Sequence, residues 1–272
     1  MKFKFRLLCV VLVLFLISAS GFAAEQFKPI SGFSDEANQQ LAKVFDAIAD
    51  EKGEVVAAFD WGKTISHKRE GSGYMSHNII LEHAKQNPEK MEACNAVVKA
   101  DETDADNYFI LRSSSYWEGV KAADIAKLGY EVYKNEFEIF PAMRDLIKQL
   151  QANKVRVIIV SNGDFHTMRM VVEKELGLDP ENSLYAYRSG VDSSGVCTGV
   201  LLPPKGEGKD KDKVIFEIIG NQIFFAGGDS ALGSDGPMLD MAKFQLAVNP
   251  KQEEDVQQIR ERWPNAIIIY PK

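Results

Sequence analysis

The sequence predicts a doubly wound α/β domain: a parallel sheet covered by helices on both faces, with a helical insert after its first strand. Three observations carry that prediction. Val55, Val56, Ala57, Ala58 and Phe59 form an apolar run, set between Gly53 and Gly62, that stops at Asp60. Residues 155–160 form a second, nearly continuous apolar run that ends in Ser161, Asn162 and Gly163. A third, Ile223, Phe224, Phe225 and Ala226, ends in Gly227, Gly228, Asp229 and Ser230, with Asp235 shortly after. Runs so short and so apolar read as strands buried on both faces. Polar groups at the carboxyl ends of such strands stand where open α/β sheets bind their ligands.

The remaining elements follow in order. After a lead-in punctuated by Pro29 and Gly32, Ser34 is an N-cap, and Leu41, Val44, Phe45, Ile48 and Ala49 recur at helical spacing, which predicts a helix beside the first strand. Residues 66–136 are helical and mixed in pattern, with no clear buried strand. Candidate helices cover 74–86, 88–99 and 116–135, separated by the acidic, polar stretch 101–107. Residues 136–141 lead back to the sheet, and Pro141 suits a first helical position. Met143, Leu146, Ile147 and Leu150 then make a helix before the Ser161 strand, and Met168, Val171, Val172 and Leu176 make another, closed by Gly177. Strand followed by helix, repeated, is the pattern of a parallel sheet with right-handed crossovers. Asp192, Ser193, Ser194 and Gly195 lie between Val191 and Val196 and predict a hairpin. A helix from Val214, another locked at its start by Pro237, and short strands at 246–250 and 267–270 complete the chain.

The first residues differ in kind. Lys2, Lys4 and Arg6 precede an apolar run over 7–17, and small residues lead to Gly21 and Ala23, the order of a secretory signal cleaved after Ala23. The run falls short of the about 20 residues of a comfortable membrane span, an uncleaved anchor being the alternative. Losing residues 1–23 takes the formal charge from −7 to −10. So acidic a protein, exported to the periplasm or secreted, is poorly suited to nucleic acid or an anionic membrane. Cys94 and Cys197 would remain, and an oxidising compartment permits a disulfide between them or two buried thiols.

The order of the three strand ends resembles that of the haloacid dehalogenase-like phosphatase superfamily over residues 55–250. The insert resembles the helical cap of its phosphoserine-phosphatase-like branch. The resemblance implies a Rossmann-like core over 25–65 and 137–272, a cap over 66–136, a small phosphorylated substrate and Mg2+ as cofactor. It implies Asp60 as the nucleophile that forms an aspartyl-phosphate, with Asp60, the Gly62 carbonyl, Asp229 and Asp235 around the metal. The spacing from Asp229 to Asp235 exceeds the family's commonest, which leaves open which of the two touches the ion and whether Asp235 instead holds a bound water or the lysine. Ser161, with amides near Asn162 and Gly163, would bind the phosphoryl oxygens, and Thr64 would do the same or orient Asp60. A lysine should neutralise the transferring group. Lys209 follows a Gly-Glu-Gly approach, whereas Lys211 stands at the better distance from Val214; the rest of Lys205, Lys209, Lys211 and Lys213 read as solvated charge.

Gly62 departs from the pattern. The family usually places there an aspartate that serves as general acid and base, a contribution of roughly 10²–10⁴-fold. Three outcomes follow: a phosphatase using another donor such as His67, Asp164, His166 or a cap residue; a different reaction on the same scaffold; or a non-catalytic relative that binds a metal and a phosphorylated ligand. Tyr74, Tyr108, Phe109, Tyr116 and Trp117 give the insert an aromatic character suited to a cationic ligand head, the plainer reading being the core of a helical bundle. Arg112, His67, Lys68 and Arg69 read as solvated charges that could meet a substrate anion.

Overall fold

The computed structural model describes residues 25–71, 73–203, 211–220 and 222–271. The export signal expected over 1–23, and Lys205 and Lys209, lie outside the described residues. The strands are β1 (Val56–Phe59), β2 (Ser66–Lys68), β3 (Phe137–Ile139), β4 (Arg156–Asp164), β5 (Leu184–Val191), β6 (Cys197–Leu202), β7 (Ile223–Gly228), β8 (Ala242–Val248) and β9 (Ile267–Ile269). Seven form one sheet in the order β6-β5-β4-β1-β7-β8-β9. Its pairings are parallel except for the hairpin of β5 with β6.

The alternation of side chains along β1 explains why it is apolar throughout. Ala57 and Phe59 belong to a core shared with the helices Asp35–Ala49, Pro141–Ala152 and Phe165–Leu176. Val56 and Ala58 belong to a second core on the opposite face, with Val214, Ile215, Met238, Leu239 and Ile259. Successive strand residues point to opposite faces, so a central strand covered on both sides has no place for a polar residue until it ends. From β1 the chain builds outward through β4 and β5, then returns to add β7, β8 and β9 on the other side. The order reverses at β1 and β7, and that switch point opens a crevice at their carboxyl ends.

Several elements differ from the sequence expectation. β4 runs on through Ser161, Asn162 and Gly163 to Asp164, with its register on β5 broken between Val160 and Asp164. β8 begins at Ala242, because Lys243 and Gln245 lie on its half-open side and interrupt the apolar run. The helix Asp35–Ala49, capped by Ser34 Oγ accepting from Ala37 N, has its main strand contact with β9 rather than with the central β1. The acidic stretch 101–107 is not a loop. One helix, Met91–Thr103, runs into it, and another, Ala105–Ser113, leaves it, with the Asp104 carboxylate accepting from Asn107 N at the junction. Cys94 and Cys197 are both buried and both free.

The insert forms the helices Met75–Gln86, Met91–Thr103, Ala105–Ser113 and Ala122–Glu136. Tyr116 and Trp117 are fully buried among them, as the core of the bundle. Both connections to the sheet domain pass through the antiparallel pair β2 and β3, which is too short to leave a periodic signal. No helix among the described residues is long and apolar enough to cross a membrane.

The insert sits on the sheet domain chiefly through Ala122–Glu136 packed on Phe165–Leu176. A side chain at Gly129 would overlap the Thr167 carbonyl. Gly129→Ala should therefore destabilise the fold by about 1–3 kcal/mol, the range for overpacking a close contact, read as a lower midpoint of thermal unfolding; an unchanged midpoint would show that this helix pair is not held so tightly.

Candidate active site

The crevice holds a cavity of about 370 Å³ lined from both layers, by Asp60, Ser161, Lys211 and Asp229 below and by Tyr108, Phe109 and Arg112 above. Asp60 leaves β1 with its backbone N–H still paired to the Gly227 carbonyl at 2.9 Å. The chain then folds tightly on itself: Ile65 and Ser66 N–H groups donate to the Trp61 carbonyl, and Lys63 takes a left-handed backbone with φ 60. Thr64, wholly buried, donates its hydroxyl to Asp60 Oδ2 at 3.3 Å. It is absent from the cavity wall, so its hydroxyl orients Asp60 and does not stand ready for a phosphoryl oxygen.

Lys211 begins the helix Lys211–Ile219 and is 2% exposed. Its ammonium donates to Asp60 Oδ1 at 2.5 Å and to Asp235 Oδ1 at 2.6 Å. The other oxygen of Asp235 accepts the Ser230 N–H at 2.9 Å. Ser161 Oγ accepts from Gly163 N at 3.0 Å, which leaves the hydroxyl proton free to point into the cavity. The structure thus brings Asp60, Gly62, Ser161, Asn162, Gly163, Lys211, Asp229 and Asp235 to one wall.

Charge in this wall is unbalanced. Burial pushes the Asp60 carboxyl up to about 6, against the pull of Lys211 and with a further push from Asp235. Burial likewise raises Asp229 to about 7, with Asp60 and Asp235 adding to it. Burial works against the Lys211 ammonium, yet the two carboxylates on it outweigh that cost and hold it charged. Oxygens of Asp60, Asp229 and Asp235 lie within 4.8 Å of one another. Three carboxylates around one ammonium leave an excess of negative charge in hard oxygen donors, a set that suits a small divalent cation. Both oxygens of Asp235 are engaged, by Lys211 and Ser230, and both of Asp60, by Lys211 and Thr64.

Two of the donors considered for the place of Gly62 face elsewhere. His166 Nε2 lies 2.8 Å from the Ser189 carbonyl, and Asp164 caps the helix Phe165–Leu176 by accepting from Thr167 N at 2.8 Å. Neither lines the cavity, whereas His67 does, stacked on Phe140 with Nε2 3.3 Å from Glu138. Lys68 and Arg69 pair with Glu136 and Glu138 along the β2–β3 ribbon. Arg112 is not the solvated charge its sequence context suggests. It is 3% exposed, lies over the rings of Tyr108 and Phe109, and donates to the Tyr108 hydroxyl and the Asn162 carbonyl. The one local signal for it was the spacing of Tyr108 and Arg112, one helical turn apart.

With an acidic, lysine-neutralised pocket at the switch point of its sheet and a lid of helices above, fold and site define a capped α/β hydrolase. The chain belongs to the haloacid dehalogenase-like hydrolases, whose family model matches residues 26–211. That match stops at Lys211, so Asp229 and Asp235 rest on the strand-end pattern of the sequence and on the structure. Among curated proteins none matches. Among solved structures, a conserved functionally unknown protein from Anaerococcus prevotii is similar at TM-score 0.58 and 13% identity, over 90% of this chain and 98% of that one. A protein of unknown function from Bordetella pertussis shares 15% identity at TM-score 0.58, over 80% and 99%. A phosphoserine phosphohydrolase-like protein from Francisella tularensis shares 14% identity at TM-score 0.51, over 75% and 92%. At such identities the likeness is one of fold.

Asp164 offers a pH test beside the pocket. Burial pushes its carboxyl up to about 7 from the ordinary 3.8. Between those values the folded chain keeps a proton that the unfolded chain has released, so stability falls as pH rises through that window. Asp164→Asn keeps the cap and removes the titration. Its stability relative to wild type should improve from about pH 5 to about pH 7, by up to about 1.4 kcal/mol per unit, in denaturant titrations at each pH; a difference independent of pH would refute the assignment.

Proposed function

We propose that the protein is an exported, Mg2+-dependent phosphatase that hydrolyses a small phosphomonoester through an aspartyl-phosphate on Asp60. One observation carries this reading: the Asp60 carboxylate is held between the Thr64 hydroxyl and the Lys211 ammonium at the wall of a cavity that also receives Ser161 and Asp229. Phosphoryl transfer asks chiefly for positioning and for neutralisation of charge on the transferred group. Thr64 and Lys211 fix the direction of Asp60, the Ser161 hydroxyl donates to a phosphoryl oxygen, and Lys211 offsets the charge gathered at phosphorus. Asp60, Asp229 and the Gly62 carbonyl would hold the magnesium ion, which when bound adds positive charge beside the phosphoryl group. Asp235 keeps Lys211 in place.

A cavity of about 370 Å³ suits a small ester, and the insert supplies its upper wall. The basic, apolar and small-residue order over 1–23 supports export. Gly62 favours a competing reading, a binding protein that keeps the cradle for metal and phosphate but does not turn over.

Phosphate release by the purified protein separates them. With Mg2+ it should hydrolyse para-nitrophenyl phosphate and simple alkyl phosphates, chelation of the ion should abolish release, and Asp60→Asn should lose about 10³-fold or more, as expected when a nucleophile is removed. Metal-dependent binding of phosphate without turnover of either ester would establish the binding protein instead.

A further inference from the structure

Gly62 lacks the side chain that would protonate a leaving group, and the space it vacates is not empty. Among the described residues, a Cβ at position 62 would meet Tyr74 alone, at 3.8 Å from Cδ1 and 3.9 Å from Cε1. Tyr74 comes from the insert, immediately before the helix Met75–Gln86, and lines the cavity with Asp60 and Ser161. Its hydroxyl lies 3.5 Å from Lys63 Nζ, which also stands over its ring at 4.9 Å from the centroid. Lys63 in turn adopts φ 60, a left-handed backbone that a side-chain-bearing residue rarely takes. The turn after Asp60 holds Lys63 beside Tyr74.

We propose that Tyr74, with Lys63 beside it, takes over at the site the proton transfer that an aspartate at position 62 would perform. The proposal rests on the phosphatase reading given above. As Asp60 attacks phosphorus, the bond from phosphorus to the ester oxygen breaks, its electron pair goes to that oxygen, and the oxygen takes the phenolic proton of Tyr74. The Lys63 ammonium stabilises the phenolate. In the second step the phenolate takes a proton from water, the water oxygen attacks phosphorus, and the bond from phosphorus to Asp60 breaks to restore the carboxylate. Phenol and carboxylate are regenerated, and the net change is ester plus water to alcohol plus phosphate. Because the donor arrives on the insert, both layers must be in contact before the proton can move.

Tyr74→Phe removes only the hydroxyl, keeps the ring under Lys63, and lies at a residue 55% exposed, so the fold should survive it. An alkoxide leaving group needs the proton, whereas para-nitrophenolate does not. The ratio of kcat/KM for ethyl phosphate to kcat/KM for para-nitrophenyl phosphate, which reports the first step alone, should therefore fall by about 10²-fold in Tyr74→Phe, the low end for loss of a general acid. Adding Gly62→Asp to Tyr74→Phe should restore the ratio. If wild type hydrolyses both esters, Asp60→Asn neither, and Tyr74→Phe leaves the ratio unchanged, the Tyr74 assignment falls while the phosphatase reading stands. If wild type hydrolyses neither ester, both fall.

Discussion

The site depends on one buried ammonium. Lys211 joins Asp60 at the tip of β1 to Asp235 in the loop after β7, partners 151 and 24 residues away in sequence. Each carboxylate alone would be costly where it sits, and Lys211 alone more so. Together they offset one another in part, and removing one partner of such a group leaves the rest uncompensated, typically at about 3–5 kcal/mol. The pairing therefore ties three separate chain segments to one point. It also leaves Asp229 and the remaining charge of the cluster to be met by something else, which is why the wall reads as a place for a cation and an anionic ligand at once.

The sheet and the residues at its strand ends were legible because both follow from the same constraint. A strand covered on two faces has to be apolar along its length, and the first polar residue then marks its end. Asp60, Ser161 and Asp229 stand out for that reason. Lys211 was separable from its neighbours only by its distance to Val214, the first buried apolar position of its helix. Thr64 was left between two roles, and its burial turned it toward Asp60.

What stayed hidden in the sequence depended on contacts across layers. Arg112 looks like surface charge until the insert folds down onto the Asn162 carbonyl. Tyr74 looks like one aromatic among several until its ring is seen against Gly62. Asp104 looks like part of an acidic loop, because nothing local says that its carboxylate will cap a helix. Family membership does not close this gap either, since the matched region ends before Asp229 and Asp235, and the fold's solved relatives are too distant in sequence to lend their residues.

The ribbon of β2 and β3 has an evolutionary consequence. Ser66 and Ile139 are register partners, so the chain departs for the insert and comes back at neighbouring points. Everything between them is one continuous module, which any replacement must match on the face of Phe165–Leu176 that Ala122–Glu136 now covers. A module exchanged at this ribbon would also have to bring its own counterpart of Tyr74, while the aspartate, lysine and serine beneath it could be inherited untouched.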